Sequence, residues 1–83
     1  MPLYMDVHSL EGAVTFDDVG KAHQADLQTQ GAYDVKYLRY WVNEDKGTVF
    51  CLVEAPSEDA ANAVHNEAHG LVADELYVVT EGS

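Results

Sequence analysis

The chain has 83 residues and one cysteine, so we expect a single domain over residues 1–83 with no intramolecular disulfide. Fifteen acidic residues against four basic ones give a formal net charge of −11. This charge repels phosphate backbones and anionic lipid surfaces. The composition therefore excludes a nucleic-acid partner and a membrane surface from the expected partners.

The sequence also predicts where the protein works. No apolar run approaches the roughly 20 residues of a membrane span. The first residues, Met1 to Tyr4, lack a basic region and a hydrophobic signal core. We expect a cytoplasmic protein in which Cys51 stays reduced.

The first part of the chain predicts a strand followed by a helix. Residues 3–8 alternate between apolar and polar side chains, which is typical of a strand. Thr15 is the predicted N-cap of a helix, and Asp17 and Asp18 suit its positive N-terminus. The helix is predicted to run to about Gln30, where Gly31 supplies a stop signal.

The second part predicts a hairpin, a helix and a last strand. Strands are expected over residues 35–42 and 49–54, joined by a polar turn in which Gly47 takes positive φ. Ser57 is the predicted cap of the second helix, and Gly70 is its predicted C′ residue. Residues 75–80 form the fourth predicted strand.

This β-α-β-β-α-β order predicts an α+β fold of the ferredoxin-like type, a four-stranded antiparallel sheet with two helices on one face. The second strand has large apolar side chains on both faces, with Tyr37 and Trp41 on one, and Leu38, Tyr40 and Val42 on the other. Because helices cover only one face, we expect a homodimer through the open sheet face, in a dimeric α/β-barrel-like assembly.

Histidines on the inward stripe of each helix indicate a polar site. His65 and His69 lie four residues apart, the spacing at which two imidazoles can share one metal ion. His23 and Asp26 occupy inward positions of the first helix. A single inward histidine is usually a hydrogen-bonded core residue, but these four polar groups on facing helices favour a metal site.

Two further candidates lie on the first strand, where Asp6 and His8 share one face. If that face meets the helices, both residues join His23, His65 and His69. If it faces outward, they form a second polar site in the dimer interface. Alternation alone leaves both possibilities open. It also leaves open whether Cys51, in an apolar strand, is a ligand or only a small buried side chain.

Five segments of the chain resemble a family of small actinobacterial nickel-binding proteins, formerly a domain of unknown function. These segments are Met5-Asp6-Val7-His8, Ala22-His23-Gln24-Ala25-Asp26, Tyr37-Leu38-Arg39-Tyr40-Trp41-Val42, Phe50-Cys51-Leu52-Val53-Glu54-Ala55-Pro56 and Val64-His65-Asn66-Glu67-Ala68-His69-Gly70-Leu71. The resemblance implies a ferredoxin-like homodimer that binds nickel, and the four histidines match motif positions of the family. The donor chemistry alone also suits copper, zinc or iron.

The favoured hypothesis is a metal-binding protein for storage, buffering or delivery, with Asp6, His8, His23, Asp26, His65 and His69 as candidate ligands. The alternative is a small-molecule-binding protein or an enzyme of the dimeric α/β-barrel type, with histidines as acid-base groups. Binding is favoured over catalysis, and fold alone cannot choose between them.

Overall fold

The secondary structure follows the predicted β-α-β-β-α-β order in a computed structural model that describes residues 1–11 and 14–82. The elements are β1 (Leu3–Ser9), α1 (Phe16–Thr29), a short 3-10 helix (Gln30–Tyr33), β2 (Lys36–Asn43), β3 (Thr48–Glu54), α2 (Glu58–Ala68) and β4 (Glu75–Val79). Within these described ranges, neither helix is long and apolar enough to cross a membrane.

The four strands form one sheet in the order β2-β3-β1-β4, and each neighbouring pair is antiparallel. Since β1 and β2 are separated by β3, the chain has the split βαβ arrangement of the ferredoxin-like fold. The core is filled mainly by small apolar side chains, among them Val53, Ala61 and Val64, which are fully buried. The predicted fold is therefore confirmed.

The predicted helix N-caps form as expected. Thr15 Oγ1 accepts a hydrogen bond from the Asp18 N–H at 3.1 Å, and Ser57 Oγ accepts one from the Ala60 N–H at 3.2 Å. Each cap satisfies one amide of the first turn that has no partner within its helix.

The helix C-termini differ from each other. Gly70 has a φ of +80° and donates its N–H to the His65 carbonyl oxygen at 2.9 Å, as predicted for a C′ residue. Gly31 does not end α1 in this way, because the chain continues into the 3-10 helix. The left-handed residue there is Asp34, with a φ of 58°.

A β-bulge at Leu38 changes which side chains of β2 share a face. Tyr37 pairs with Val53 and Arg39 pairs with Leu52, so Leu38 has no opposite residue. The alternation therefore reverses after Tyr37. The prediction that Tyr37 and Trp41 share one face of the strand was wrong, because Trp41 lies on the open face and Tyr37 lies beneath the helices.

The sheet register also shows which side of β1 faces the helices. Asp6 lies opposite Cys51, and His8 lies opposite Val49. All four are buried, whereas Val7, which points the other way, pairs with the exposed Phe50. Asp6 and His8 thus lie on the helix-covered face, together with the inward side chains of α1 and α2.

Gly70 provides a test of the backbone at the end of α2. We expect Gly70→Ala to lower the free energy of unfolding by about 1 kcal/mol, because a Cβ is unfavourable at positive φ. Gly31→Ala is the matched control, since an added Cβ would meet no described atom within 4 Å there and the φ is not positive. Urea unfolding measures both changes. Equal effects of the two substitutions would contradict the assignment of Gly70 as the C′ residue.

Candidate metal centre

The centre of the site is the imidazole of His65, which lies between two carboxylates. Its Nδ1 is 2.9 Å from Asp26 Oδ1, and its Nε2 is 2.9 Å from Asp6 Oδ2. All three residues are buried, with relative exposures of 1%, 2% and 0% for His65, Asp26 and Asp6. Since Asp6 is on β1, Asp26 on α1 and His65 on α2, the triad joins three elements of the fold.

The charges of the triad depend on one another. Burial disfavours the charged form of His65, but hydrogen bonds to Asp26 and Asp6 outweigh it and raise the pKa to about 9. Burial also opposes ionisation of Asp6, yet its hydrogen bonding to His65 and its contact with His8 lower the pKa to about 2. The pKa of Asp26 is lowered in the same way by His65 and His69. At neutral pH an imidazolium therefore lies between two carboxylates.

Two more histidines contact the carboxylates of the triad. His8 Nε2 is 3.2 Å from Asp6 Oδ1, and His69 Nε2 is 3.1 Å from Asp26 Oδ1. Neither contact is aligned as a hydrogen bond. Asp6 Oδ1 and His69 Nε2 are buried and have no hydrogen-bond partner among the residues that the structure describes. Buried polar atoms of this kind are uncommon and are expected to bind a further group.

The tautomer of His69 follows from its other nitrogen. The Leu71 N–H donates to His69 Nδ1 at 3.1 Å, so Nδ1 carries no proton. In the neutral imidazole the proton is then on Nε2. His69 thus presents an N–H, and not a lone pair, to Asp26.

Tyr37 and Cys51 complete the buried surroundings of Asp6. The Tyr37 hydroxyl donates to the Ala61 carbonyl oxygen at 2.9 Å and lies 3.4 Å from Asp6 Oδ2. Burial, together with the negative charge of Asp6, raises the pKa of both the Tyr37 hydroxyl and the Cys51 thiol well above their usual ranges. Both groups therefore stay protonated beside the triad at neutral pH.

Among residues 1–11 and 14–82, two groups of side chains have donor atoms close enough to hold one metal ion. One consists of Asp6, His8, Cys51 and His65, and the other consists of Asp26, His65 and His69. Within each group the donor atoms lie within 4.8 Å of one another. Nitrogen and oxygen donors with one thiolate suit nickel, copper, zinc and iron, so the residues present fit a transition metal. His65 belongs to both groups.

The structure brings together five of the six candidate ligands named from the sequence. The exception is His23, which is in neither group of the described residues. Its ring packs on Tyr40 with the centroids 4.7 Å apart. Burial lowers the pKa of His23, although the charge of Asp26 opposes this effect. Cys51, whose role the sequence left open, lies within the first group, and its pairing with Asp6 across β1 and β3 explains why.

The triad predicts how the stability of the metal-free protein depends on pH. The pKa of His65 rises from 6.5 to about 9 on folding, so its contribution is complete below pH 6.5 and is lost as the pH rises through about 9. The pKa of Asp6 falls from 3.8 to about 2, so its contribution is complete above pH 3.8 and is lost as the pH falls towards 2. We therefore expect the free energy of unfolding to be greatest between pH 3.8 and pH 6.5, where both contributions are complete. Urea unfolding in the presence of a chelator measures it.

Asp26→Asn tests the cause of the alkaline decline. This variant removes the partner of His65 Nδ1, so the pKa of His65 falls, and the loss of stability above pH 6.5 becomes smaller. Titration of the His65 ring by NMR measures the same pKa directly. An alkaline decline of unchanged size in Asp26→Asn would contradict the assignment to His65.

The comparisons with known proteins agree with this fold. The crystal structure of SCO4226 from Streptomyces coelicolor A3(2) superposes with a TM-score of 0.89 at 37% sequence identity, over 98% of this chain and 99% of that chain. No curated protein matches the chain. Residues 4–79 match the family described as nickel responsive protein SCO4226-like. The chain therefore belongs to the SCO4226-like family of nickel responsive proteins.

Proposed function

We propose that the protein binds a nickel ion through Asp6, His8 and His65, with Cys51 as a further ligand. The observation that carries this proposal is the group itself, four buried donor atoms of types suited to nickel within 4.8 Å of one another. Asp6 Oδ1, which has no hydrogen-bond partner among the described residues, supplies a lone pair for the ion.

The second group is a weaker candidate for the ion. A neutral imidazole has one lone pair, so His65 can bind a metal through Nε2 or through Nδ1, but not through both. In the second group His69 would need its Nε2 lone pair, which requires loss of the hydrogen bond from the Leu71 N–H to Nδ1. Binding at the first group leaves that hydrogen bond intact.

Asp26 has a defined part in this proposal although it does not touch the ion. When His65 Nε2 binds metal, Nδ1 keeps its proton and continues to donate to Asp26 Oδ1. A carboxylate on the second nitrogen orients a ligating histidine and strengthens it as a donor. His69, which contacts the same oxygen, helps to hold Asp26 in place.

Nickel binding in this group requires the loss of a proton. In the metal-free protein, His65 Nε2 carries a proton and donates a hydrogen bond to Asp6. This proton must leave before the nitrogen can bind the ion. The affinity for nickel is therefore expected to rise with pH, and to rise most steeply below the pKa of His65, which is about 9. The Cys51 thiol, whose pKa burial raises, would lose its proton only on binding the ion.

The proposed role is storage, buffering or delivery of nickel in the cytoplasm. The family description, nickel responsive protein, supports nickel over the other metals that suit the same donors. A cytoplasmic location agrees with one unpaired, buried cysteine.

Calorimetric titration with nickel tests the site. We expect one ion per chain and an affinity that falls at least tenfold in His8→Ala, because a ligand is lost. Asp26→Asn, which removes only the outer partner of His65, is expected to lower the affinity by about 10- to 100-fold. Copper and zinc titrations would rank the metals.

His23→Gln is the matched control, since it removes a histidine that lies outside both groups. Its nickel affinity is expected to stay within about twofold of the wild type. A loss in His69→Gln together with unchanged binding in His8→Ala would instead favour the second group. Wild-type affinity in both His8→Ala and His69→Gln would contradict a site in this pocket.

We further propose that two copies associate through the open face of the sheet. This face carries Leu3, Met5, Val7, Trp41, Phe50, Leu52, Tyr77 and Val79, according to the strand register. Trp41 is 47% exposed and Tyr77 is 50% exposed in the single chain. An apolar sheet face of this extent is typical of an interface, and a two-fold dimer covers it with a second identical face.

Sedimentation at micromolar concentration tests the dimer. The wild type is expected to sediment as a dimer, and Trp41→Glu is expected to sediment as a monomer, because the substitution places a charge in the apolar face. Val72→Glu is the control, since Val72 is 47% exposed and lies outside the sheet. A monomeric wild type would contradict the proposal.

A further inference from the structure

A cavity of about 100 Å³ connects the proposed metal ligands with the outside of the protein. Its inner end is lined by His8, Cys51 and His65, which are all buried. Asp18 and Leu71 also line the cavity, and both are exposed. The cavity therefore belongs to the metal pocket and extends from it to an opening between the start of α1 and the segment that follows α2.

One wall of this cavity is a row of side chains on α1. Asp18, Ala22 and Asp26 all line it, and residues four apart lie on one face of a helix. At 1.5 Å per residue, Asp18 and Asp26 are about 12 Å apart along the helix. The row thus leads from an exposed carboxylate to the carboxylate that contacts His65. Between them, Ala22 contributes only a methyl group and leaves the space open.

The charge along the cavity favours a cation. Much of the remaining wall comes from apolar residues such as Val14, Val19 and Val49, which offer no ligand atoms. The described lining contains no Lys or Arg, and the whole chain has a formal charge of −11. An apolar cleft with charges of one sign raises the local concentration of oppositely charged ligands and their association rate. Asp18 is the carboxylate that a cation would meet first at the opening.

We infer, on the basis of the proposed metal site, that this cavity is the path by which the ion reaches its ligands, and that Asp18 attracts the ion to the opening. Asp18 is in neither donor group of the described residues, so it is not a final ligand. The opening is on the helix-covered side of the sheet. The proposed dimer uses the opposite face and would leave the opening accessible.

Ala22→Leu tests the path, because a residue that only narrows it slows entry and exit alike. We expect the association and dissociation rate constants for nickel to fall by the same factor, about tenfold, since the larger side chain has to move before an ion can pass. The affinity is expected to stay within about twofold of the wild type. Stopped-flow mixing with a chromogenic nickel chelator measures both rate constants.

Ala25→Leu is the matched control for this variant. Ala25 is a partly buried alanine of the same helix and does not line the cavity, so both rate constants are expected to stay at wild-type values. His8→Ala, in contrast, is expected to lower the affinity, because it removes a ligand. Unchanged rate constants in Ala22→Leu, or a loss of affinity as large as that in His8→Ala, would overturn the entry path.

Asp18→Asn tests the attraction at the opening. We expect the association rate constant to fall about threefold at an ionic strength of about 0.1 M, and by less than about twofold at about 1 M, where salt screens the charge. Asp17→Asn is the control, since Asp17 is also exposed in the first turn of α1 but does not line the cavity. Equal effects of the two substitutions would overturn the role of Asp18.

Failure of the entry path can be distinguished from failure of the proposed nickel site. Nickel binding with wild-type rate constants in Ala22→Leu would overturn the path and leave the site intact. If the wild type does not bind nickel, the proposed function is wrong. Copper and zinc, which suit the same donors, then replace nickel in the same measurements. A protein that binds none of the three ions would overturn the path as well.

Discussion

The pocket depends on one buried chain of charge, Asp6–His65–Asp26. Two carboxylates placed this close in a dry interior would be strongly unfavourable alone, and the shared imidazolium compensates both. Removing one partner of such a buried arrangement generally costs several kcal/mol, because an unpaired charge remains. Since the three residues come from β1, α1 and α2, the same interaction fixes the position of both helices over the sheet.

The chain of charge also changes how metal binding has to be understood. The imidazolium of His65 already supplies a positive charge between the two carboxylates. A nickel ion would therefore replace a proton of His65 and would not enter an empty site. The outer contacts of His8 and His69 are less well aligned than the central ones. The centre is thus satisfied in the metal-free protein, whereas its edges have unused donor atoms. Such an arrangement permits a folded metal-free state and still leaves donors for an ion.

Much of this architecture was predictable from local sequence patterns. The caps at Thr15 and Ser57 predicted where the helices begin. The position of His65 and of Asp26 in the apolar stripe of its own helix predicted that each faces inward. Both patterns depend only on residues within one or two turns. The side of β1 was not predictable. The polar side of a strand usually faces water, but here Asp6 and His8 face inward because their partners lie on α2, 57 or more residues away along the chain.

His23 shows a different limit of prediction. Helical spacing placed it on the same inward face as Asp26, and it does line the same pocket. Its ring nevertheless packs on Tyr40 and stays out of both donor groups of the described residues. The direction of the His23 ring depends on the residue of β2 that it packs against. The bulge at Leu38 turns Tyr40 inward and so makes Tyr40 that residue.

That bulge has a consequence for how the protein can change during evolution. Residues of β2 up to Tyr37 alternate in one phase, and residues from Arg39 onward alternate in the opposite phase. Deletion of Leu38 would leave Tyr37 opposite Val53 and Arg39 opposite Leu52 in a regular ladder, so Tyr40 would still face inward and Trp41 would still face outward. The strand can therefore lose one residue at this position without exchanging the side chains beneath the helices for those on the open face.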